Sequence, residues 1–290
     1  MKRDTHPRAA DLTRRMLIER AAYVVSTLAA APLLARCAQA ADPAAPEAAA
    51  AEPEGAALDA NPIPMPDVSD VQIGMLLFRG FTMLDLVGPL TALGRVAQVH
   101  LVSSSLDPVP SDMGYPLVPT TTYADCPKDL DVLFVPGGFT ADVMGDQPAL
   151  DFLVGHSHAR YITSVCTGSL VLAAAGLLNG YRATTHWATR DMLGLFDVEV
   201  VDERVVIDRN RMTGGGVTAG IDFGLALVEL LRDQPTAKIQ QLMMEYNPAP
   251  PFAAGTPEQA GPELVAIVND TLEQPNRLIL QAAKDAIARM

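Results

Sequence analysis

Apolar and polar positions change character sharply along this chain. Residues 41–66 are mostly Ala, Pro and Glu with almost no large apolar side chains. Such a stretch cannot offset the entropy of ordering, so residues 41–68 read as a disordered Ala/Pro-rich tether. From Val71 the pattern becomes periodic. VQIGMLLF (71–78), VHLVSS (99–104), DVLFVPGG (131–138) and YITSV (161–165) are near-continuous apolar or branched runs, each predicting a buried strand. Between them lie LDLVGPLTALGRVA (84–97), a broken helical stretch, and PALDFLVGHSHAR (148–160), a helix. An Ala/Leu helix from Leu170 to Leu178 follows, ended by Asn179-Gly180. RATT (182–185) is short, VEVVDERVVID (198–208) reads as a hairpin or two short strands, and MTGGGVTAG (212–220) as a loop. IDFGLALVELL (221–231) and AKIQQLMMEY (237–246) have helical apolar spacing, and 262–288 is an amphipathic helix candidate interrupted near Pro275. Buried strands alternating with helices predict an α/β fold, a parallel sheet covered on both faces.

Composition adds organisation. A chain of 290 residues, 49% hydrophobic, can bury one large core. One domain plus extensions is therefore expected, here 69–256 followed by a C-terminal helical extension at 257–290. Residues 1–40 read as an export signal: a basic region with Thr13-Arg14-Arg15, an apolar run from Ala21 to Ala35, then Ala38-Gln39-Ala40 as a small-residue cleavage site. The paired arginines point to the twin-arginine route and a periplasmic protein, although Glu19 and Arg20 interrupt the match. The 15-residue run is short of the about 20 residues a membrane span needs, so no stable insertion is expected after cleavage. Without residues 1–40 the chain has 14 bases against 31 acids, a balance that repels nucleic acid. Cleavage would also leave only Cys126 and Cys166, two thiols able to pair in an oxidising space.

Cys166 carries the strongest chemical signal. It stands where an apolar strand meets an apolar helix, a turn that lifts the apical side chain out of the sheet toward unpaired helix N–H groups. Those groups favour a thiolate, so Cys166 is expected to be a nucleophile that titrates below an ordinary thiol. A buried structural cysteine is the alternative. Loops at the carboxyl ends of parallel strands converge on one crevice, which recruits further candidates. Asp85 could hold a proton beside the thiolate, or simply open a helix. Gly137 and Gly138 could present N–H groups to developing negative charge, or form a plain turn. His186 could reach the crevice or serve structurally. Thr167 offers a hydroxyl and an N–H beside Cys166, or is a helix-opening residue. No His/Cys/Asp cluster has metal-ligand spacing, and no cofactor is expected.

Taken together, IGMLLFRGFTMLDLVGP, ADCPKDLDVLFVPGG, ARYITSVCTGSLVLAAAGLLNGYRATTHWA, MTGGGVTAGIDFGLAL and EYNPAPPFAAGTPE resemble the PfpI-type, glutamine-amidotransferase-like superfamily, and within it the bacterial isonitrile hydratases. The resemblance spans about residues 71–256. It implies a flavodoxin-like three-layer sandwich, a homodimer and a small-molecule substrate. It also implies that Cys166 is the catalytic cysteine, with Thr167 beside it and Asp85 as the acid. The implied reaction is hydration of an isonitrile to an N-substituted formamide through a thioimidate. The deglycase branch has a glutamate at the position of Asp85 and a histidine at that of His186. Glyoxalase or deglycase chemistry is therefore the enzymatic alternative, and redox sensing through Cys166 the non-catalytic one. Phe78-Arg79-Gly80 replaces the usual Phe-Pro-Gly, and the loop after Gly138 lacks a further glycine. Thr167 stands where PfpI-type proteases have histidine, which weakens a protease reading. Related transcription regulators append two helix-turn-helix motifs, for which the roughly 40 residues after Pro251 are too short.

Overall fold

A computed structural model describes residues 70–290. The export signal and the tether expected at 1–68 lie outside the described residues. Strands β1 (Gln72–Leu76), β6 (Val132–Val135) and β7 (Tyr161–Val165) fall inside their apolar runs, and β2 (Gln98–Ser103) begins one residue before its own. Short pairs β3 (Val109–Pro110) with β4 (Pro116–Leu117), and β8 (Tyr181–Ala183) with β9 (Val198–Val200), lie outside the main sheet. β5 (Thr121–Thr122), β10 (Val205–Asp208) and β11 (Arg211–Gly214) complete it. The seven strands run in the order β10-β11-β7-β6-β1-β2-β5. All neighbours are parallel except the β10–β11 edge pair.

One strand expectation is corrected here. Met212-Thr213-Gly214, read as loop because of its glycines, belongs to β11, an interior strand buried along its whole length between β7 and β10. Of the two readings of 198–208, two short strands is the one observed, since β9 pairs with β8 and β10 with β11.

The helices are α1 (Met83–Leu93), α2 (Gln147–Gly155), α3 (Gly168–Ala174), the single turn α4 (Arg190–Leu193), α5 (Ala219–Leu231), α6 (Gln234–Met243) and α7 (Pro257–Arg289). α1 packs on α5 and α5 on α6, while α3 packs on α2 and α7, giving a helical layer on each side of the sheet. α3 stops four residues earlier than its apolar run, turning at Gly176 with φ 72°. α7 continues through Pro275 and instead breaks from helical geometry at Gly261. The core fills both sides of β1, β6 and β7, with Phe81, Phe134 and Phe223 among its largest fully buried side chains. Every parallel strand therefore delivers its following loop to the same edge of the sheet.

Candidate active site

Two loops at that edge are stitched together before any side chain is considered. After β1, the Thr82 N–H donates to Gly137 O (2.8 Å), and the Phe139 N–H donates to Gly80 O (3.0 Å). This ties the start of α1 to the turn after β6. Asp85, in the first turn of α1, is thereby carried inward and is fully buried. Cys166 follows β7 with φ 57°, a left-handed conformation that non-glycine residues rarely adopt. Three hydrogen bonds hold it there: its N–H is shared between Gly214 O (3.0 Å) and Gly215 O (2.8 Å), and its carbonyl accepts from Thr185 Oγ1 (2.8 Å). The elbow is a product of β11 and of the segment after β8 as much as of its own strand.

Gly137 sits between the two side chains. A Cβ placed there would lie 2.6 Å from Asp85 Oδ2 and 2.8 Å from Cys166 Sγ. Only glycine fits, because Asp85 and Cys166 both crowd the space a side chain there would take. Neither Asp85 oxygen makes a well-formed hydrogen bond. Burial pushes the Asp85 carboxyl up to about 7; the Cys166 thiol opposes the rise, the charge of Asp112 adds to it, and the Gly137 N–H opposes it weakly.

Cys166 behaves opposite to expectation. Complete burial first, and the Asp85 charge second, push its thiol well above the ordinary range, although the N–H groups of Thr167 and Val217 pull it down. Two N–H groups from a short helix and one loop do not outweigh desolvation beside a carboxylate. Cys166 and Asp85 thus titrate as a pair, the second proton being much harder to remove than the first.

The remaining candidates take different places. The Thr167 hydroxyl donates to Gly138 O and accepts from the Gly138 N–H, both at 2.9 Å. That N–H is therefore spent on Thr167, and the Gly137-Gly138 pair does not face sulfur as expected; the Thr167 and Val217 N–H groups do. His186 makes no hydrogen bond to Cys166. Its Nδ1 accepts from the Ala188 N–H (3.3 Å), its ring packs against Gly216, and burial, then Arg190, lowers its pKa. His186 thus braces the loop that carries Val217. Arg79 lines a separate pocket of about 410 Å³ with Ser103, Asp107 and Asp146, whose walls include neither Cys166 nor Asp85. Cys126 and Cys166 are both free thiols.

Sequence reasoning missed Asp112 and Val217. Asp112 comes from the β3–β4 turn; its Oδ2 accepts from Thr82 Oγ1 (2.9 Å) and its N–H donates to Phe81 O (2.9 Å). Nothing in Ser111-Asp112-Met113-Gly114 distinguishes it from an ordinary turn acid. Val217 had a signal in the preceding glycine run, because Gly216 admits no Cβ against the His186 ring (2.5 Å to Cδ2) and fixes the loop's approach.

Comparison with known proteins agrees with this architecture. Isonitrile hydratase of Pseudomonas putida is 53% identical over 194 residues, 66% of this chain and 85% of that protein. A THiJ/PfpI family protein from Pseudomonas syringae, of known structure, superposes with TM-score 0.71 at 45% identity, covering 78% of this chain and 98% of that one. The glutathione-independent glyoxalase DJ-1 of Schizosaccharomyces pombe is more distant, 28% identical over 126 residues, 41% of this chain and 65% of that protein. The DJ-1/PfpI family pattern matches residues 71–230, and the chain belongs to that family.

Proposed function

We propose that the chain hydrates an isonitrile to the N-substituted formamide, with Cys166 as nucleophile and Asp85 as acid and base. The observation that carries this reading is the buried Asp85 carboxyl, free of well-formed hydrogen bonds and brought beside Cys166 Sγ over the bare face of Gly137. The terminal carbon of R–N≡C accepts a nucleophile and a proton at one atom, and this pair offers both to one point. The identity to the Pseudomonas putida hydratase supports the same assignment.

The reactive pair holds one proton, which passes from the Cys166 thiol to the Asp85 carboxylate as sulfur becomes the nucleophile. Sγ adds to the terminal carbon while that proton passes from Asp85 to the same carbon, giving the thioimidate R–N=CH–S–Cys166. Water then adds to the imidate carbon; Asp85 takes one of its protons and passes it to nitrogen. As the C–S bond breaks, sulfur leaves with the bonding electrons and Asp85 takes the hydroxyl proton, releasing R–NH–CHO and restoring the pair. The Thr167 and Val217 N–H groups stabilise sulfur whenever it is anionic. Asp112 is a positioning residue whose charge adds to the burial that raises Asp85 and so makes its carboxylate a better proton acceptor.

The test follows formamide appearance from a panel of alkyl isonitriles, with α-ketoaldehydes alongside. Cys166→Ala should abolish turnover, and Asp85→Asn should lower it by about 10²–10⁴-fold while leaving Cys166 open to alkylation. An Asn variant at the wild-type rate would reduce Asp85 to a structural role. Consumption of α-ketoaldehydes with no formamide from any isonitrile would move the assignment to glyoxalase chemistry.

A further inference from the structure

We propose that the pocket of about 410 Å³ lined by Arg79 is a second binding site, built for a small organic zwitterion whose ammonium and carboxylate groups are joined by a short carbon chain. Topology puts a crevice there. From β1 the chain goes to β2 and β5 on one side and returns to β6 on the other, so the loops that follow β1 and β6 part at the carboxyl ends of the strands. Arg79 follows β1, Ser103 and Asp107 belong to the end of β2 and the loop after it, and Asp142 and Asp146 flank a turn after β6; all five line the pocket. Leu77 and Val143, both buried, give it an apolar floor on which a carbon chain can lie.

Unspent polar groups show that these walls are built for a ligand. Ser103 is 5% exposed and lines the pocket, yet among the described residues its hydroxyl makes no hydrogen bond. The Arg79 side chain makes neither an ion pair nor a hydrogen bond among the described residues, although three carboxylates share its walls. None of those carboxylates pairs with a cation either; Asp107 accepts only from Ser105 Oγ (3.0 Å). Burial first, and the Asp146 charge second, push the Tyr123 phenol on the same walls up to about 12, so that charge falls within the pocket. A guanidinium and several carboxylates that leave one another unpaired call for a ligand that brings both signs of charge. Among the described residues no three acids, histidines or cysteines stand close enough to hold a metal ion, so the positive partner is an organic ammonium. Arg79 is the one basic residue on these walls among the described residues, and it replaces the proline of the usual Phe-Pro-Gly. The half of the site that takes a carboxylate therefore belongs to this chain's own sequence.

Calorimetric titration of the full chain with ω-amino acids from glycine to ε-aminocaproate, and with butylamine and butanoate, tests this. The best-fitting ω-amino acid should bind at least about tenfold more tightly than butylamine or butanoate, each of which carries one of the two charges. R79Q should bring that ω-amino acid down to the level of butylamine while leaving butylamine itself unchanged, which also shows that the pocket is intact. D142N/D146N should weaken amine and zwitterion alike by at least about tenfold, with an unaltered iodoacetamide reaction at Cys166 as the sign of an intact fold. Cys166→Ala lies outside the pocket walls and should bind as the wild type does. No binding of any ω-amino acid, butanoate binding as tightly as the best of them, or an R79Q variant that binds like wild type would each overturn the proposal. So would loss of binding in Cys166→Ala, which would move the ligand to the reactive pair.

Discussion

Cys166 and Asp85 are two buried acids side by side over one glycine, and pH decides how many protons they share. Below the first ionisation both hold protons and no thiolate is available. As pH rises through about 7 the Asp85 carboxyl loses its proton first, leaving a carboxylate able to take the proton of the Cys166 thiol as sulfur attacks and to pass it on. Only well above the ordinary thiol value of 9 does the Cys166 thiol lose its proton too, leaving the pair none to donate. The ratio kcat/KM should therefore rise with a midpoint near 7 and fall again far into the alkaline range. Iodoacetamide, which needs a thiolate and no acid, should keep accelerating on the alkaline side where turnover declines. A flat turnover profile between pH 6 and 8 would refute the shared-proton description. Asp112→Asn removes the neighbouring charge, so both acidic limbs should move below 7, whereas Asp112→Glu should hold them in place. Because alkylation reports the pair without any substrate, this holds or fails independently of which compound the enzyme turns over.

Elements explain why the sequence revealed some of the site and hid the rest. β1, β2, β6 and β7 were legible because interior parallel strands are continuous apolar runs, and Cys166 was legible because it ends one of them. β11 was hidden: its Thr213-Gly214 end continues into two more glycines, a composition that ordinarily marks a loop. Gly214 is nevertheless in the strand because its neighbours crowd it; a Cβ there would meet Val165 Cγ2 at 3.3 Å. Since β11 supplies the carbonyl at Gly214 that helps hold Cys166 in its turn, missing the strand also meant missing Val217. The thiol's pKa was misjudged for a different reason. A strand-to-helix turn is visible in sequence, but the depth of burial at its apex is not, and burial sets the sign. Gly137 shows how tightly these elements converge. Gly137→Ala puts a Cβ 2.5 Å from the Cys166 Cβ and 2.6 Å from Asp85 Oδ2, so both side chains must move. Turnover should fall at least about 10²-fold, with a stability loss of about 1–3 kcal/mol in denaturant titration. Gly155→Ala, at the end of α2 with no atom within 4 Å of the new methyl, is the matched control and should change neither. Wild-type turnover by the Gly137 variant would show that the two side chains need not meet across it.

At the scale of the whole molecule, the same carboxyl is a cost to folding. In the unfolded chain Asp85 ionises near its usual 3.8, and in the fold near 7, so the native state holds the proton more tightly. Stability from this group is complete below 3.8 and is lost as pH rises toward 7, beyond which the fold carries an ionised carboxylate without full hydrogen bonding. The loss is at most about 4 kcal/mol, a large share of the roughly 5–15 kcal/mol that holds a typical domain together. Asp85→Asn cannot ionise and keeps a similar shape, while every other titrating carboxylate is common to both proteins. The difference in unfolding free energy between variant and wild type should therefore be small near pH 4, grow in favour of the variant through pH 5 to 7, and level off above it. Urea titrations across that range measure it directly. A difference independent of pH would mean that Asp85 ionises in the fold as it does in water, and the raised carboxyl on which the acid step depends would be lost with it. A growing difference would instead show a reactive group kept in the core at the expense of stability, with the seven-stranded sheet and its two helical layers supplying the surplus that permits it.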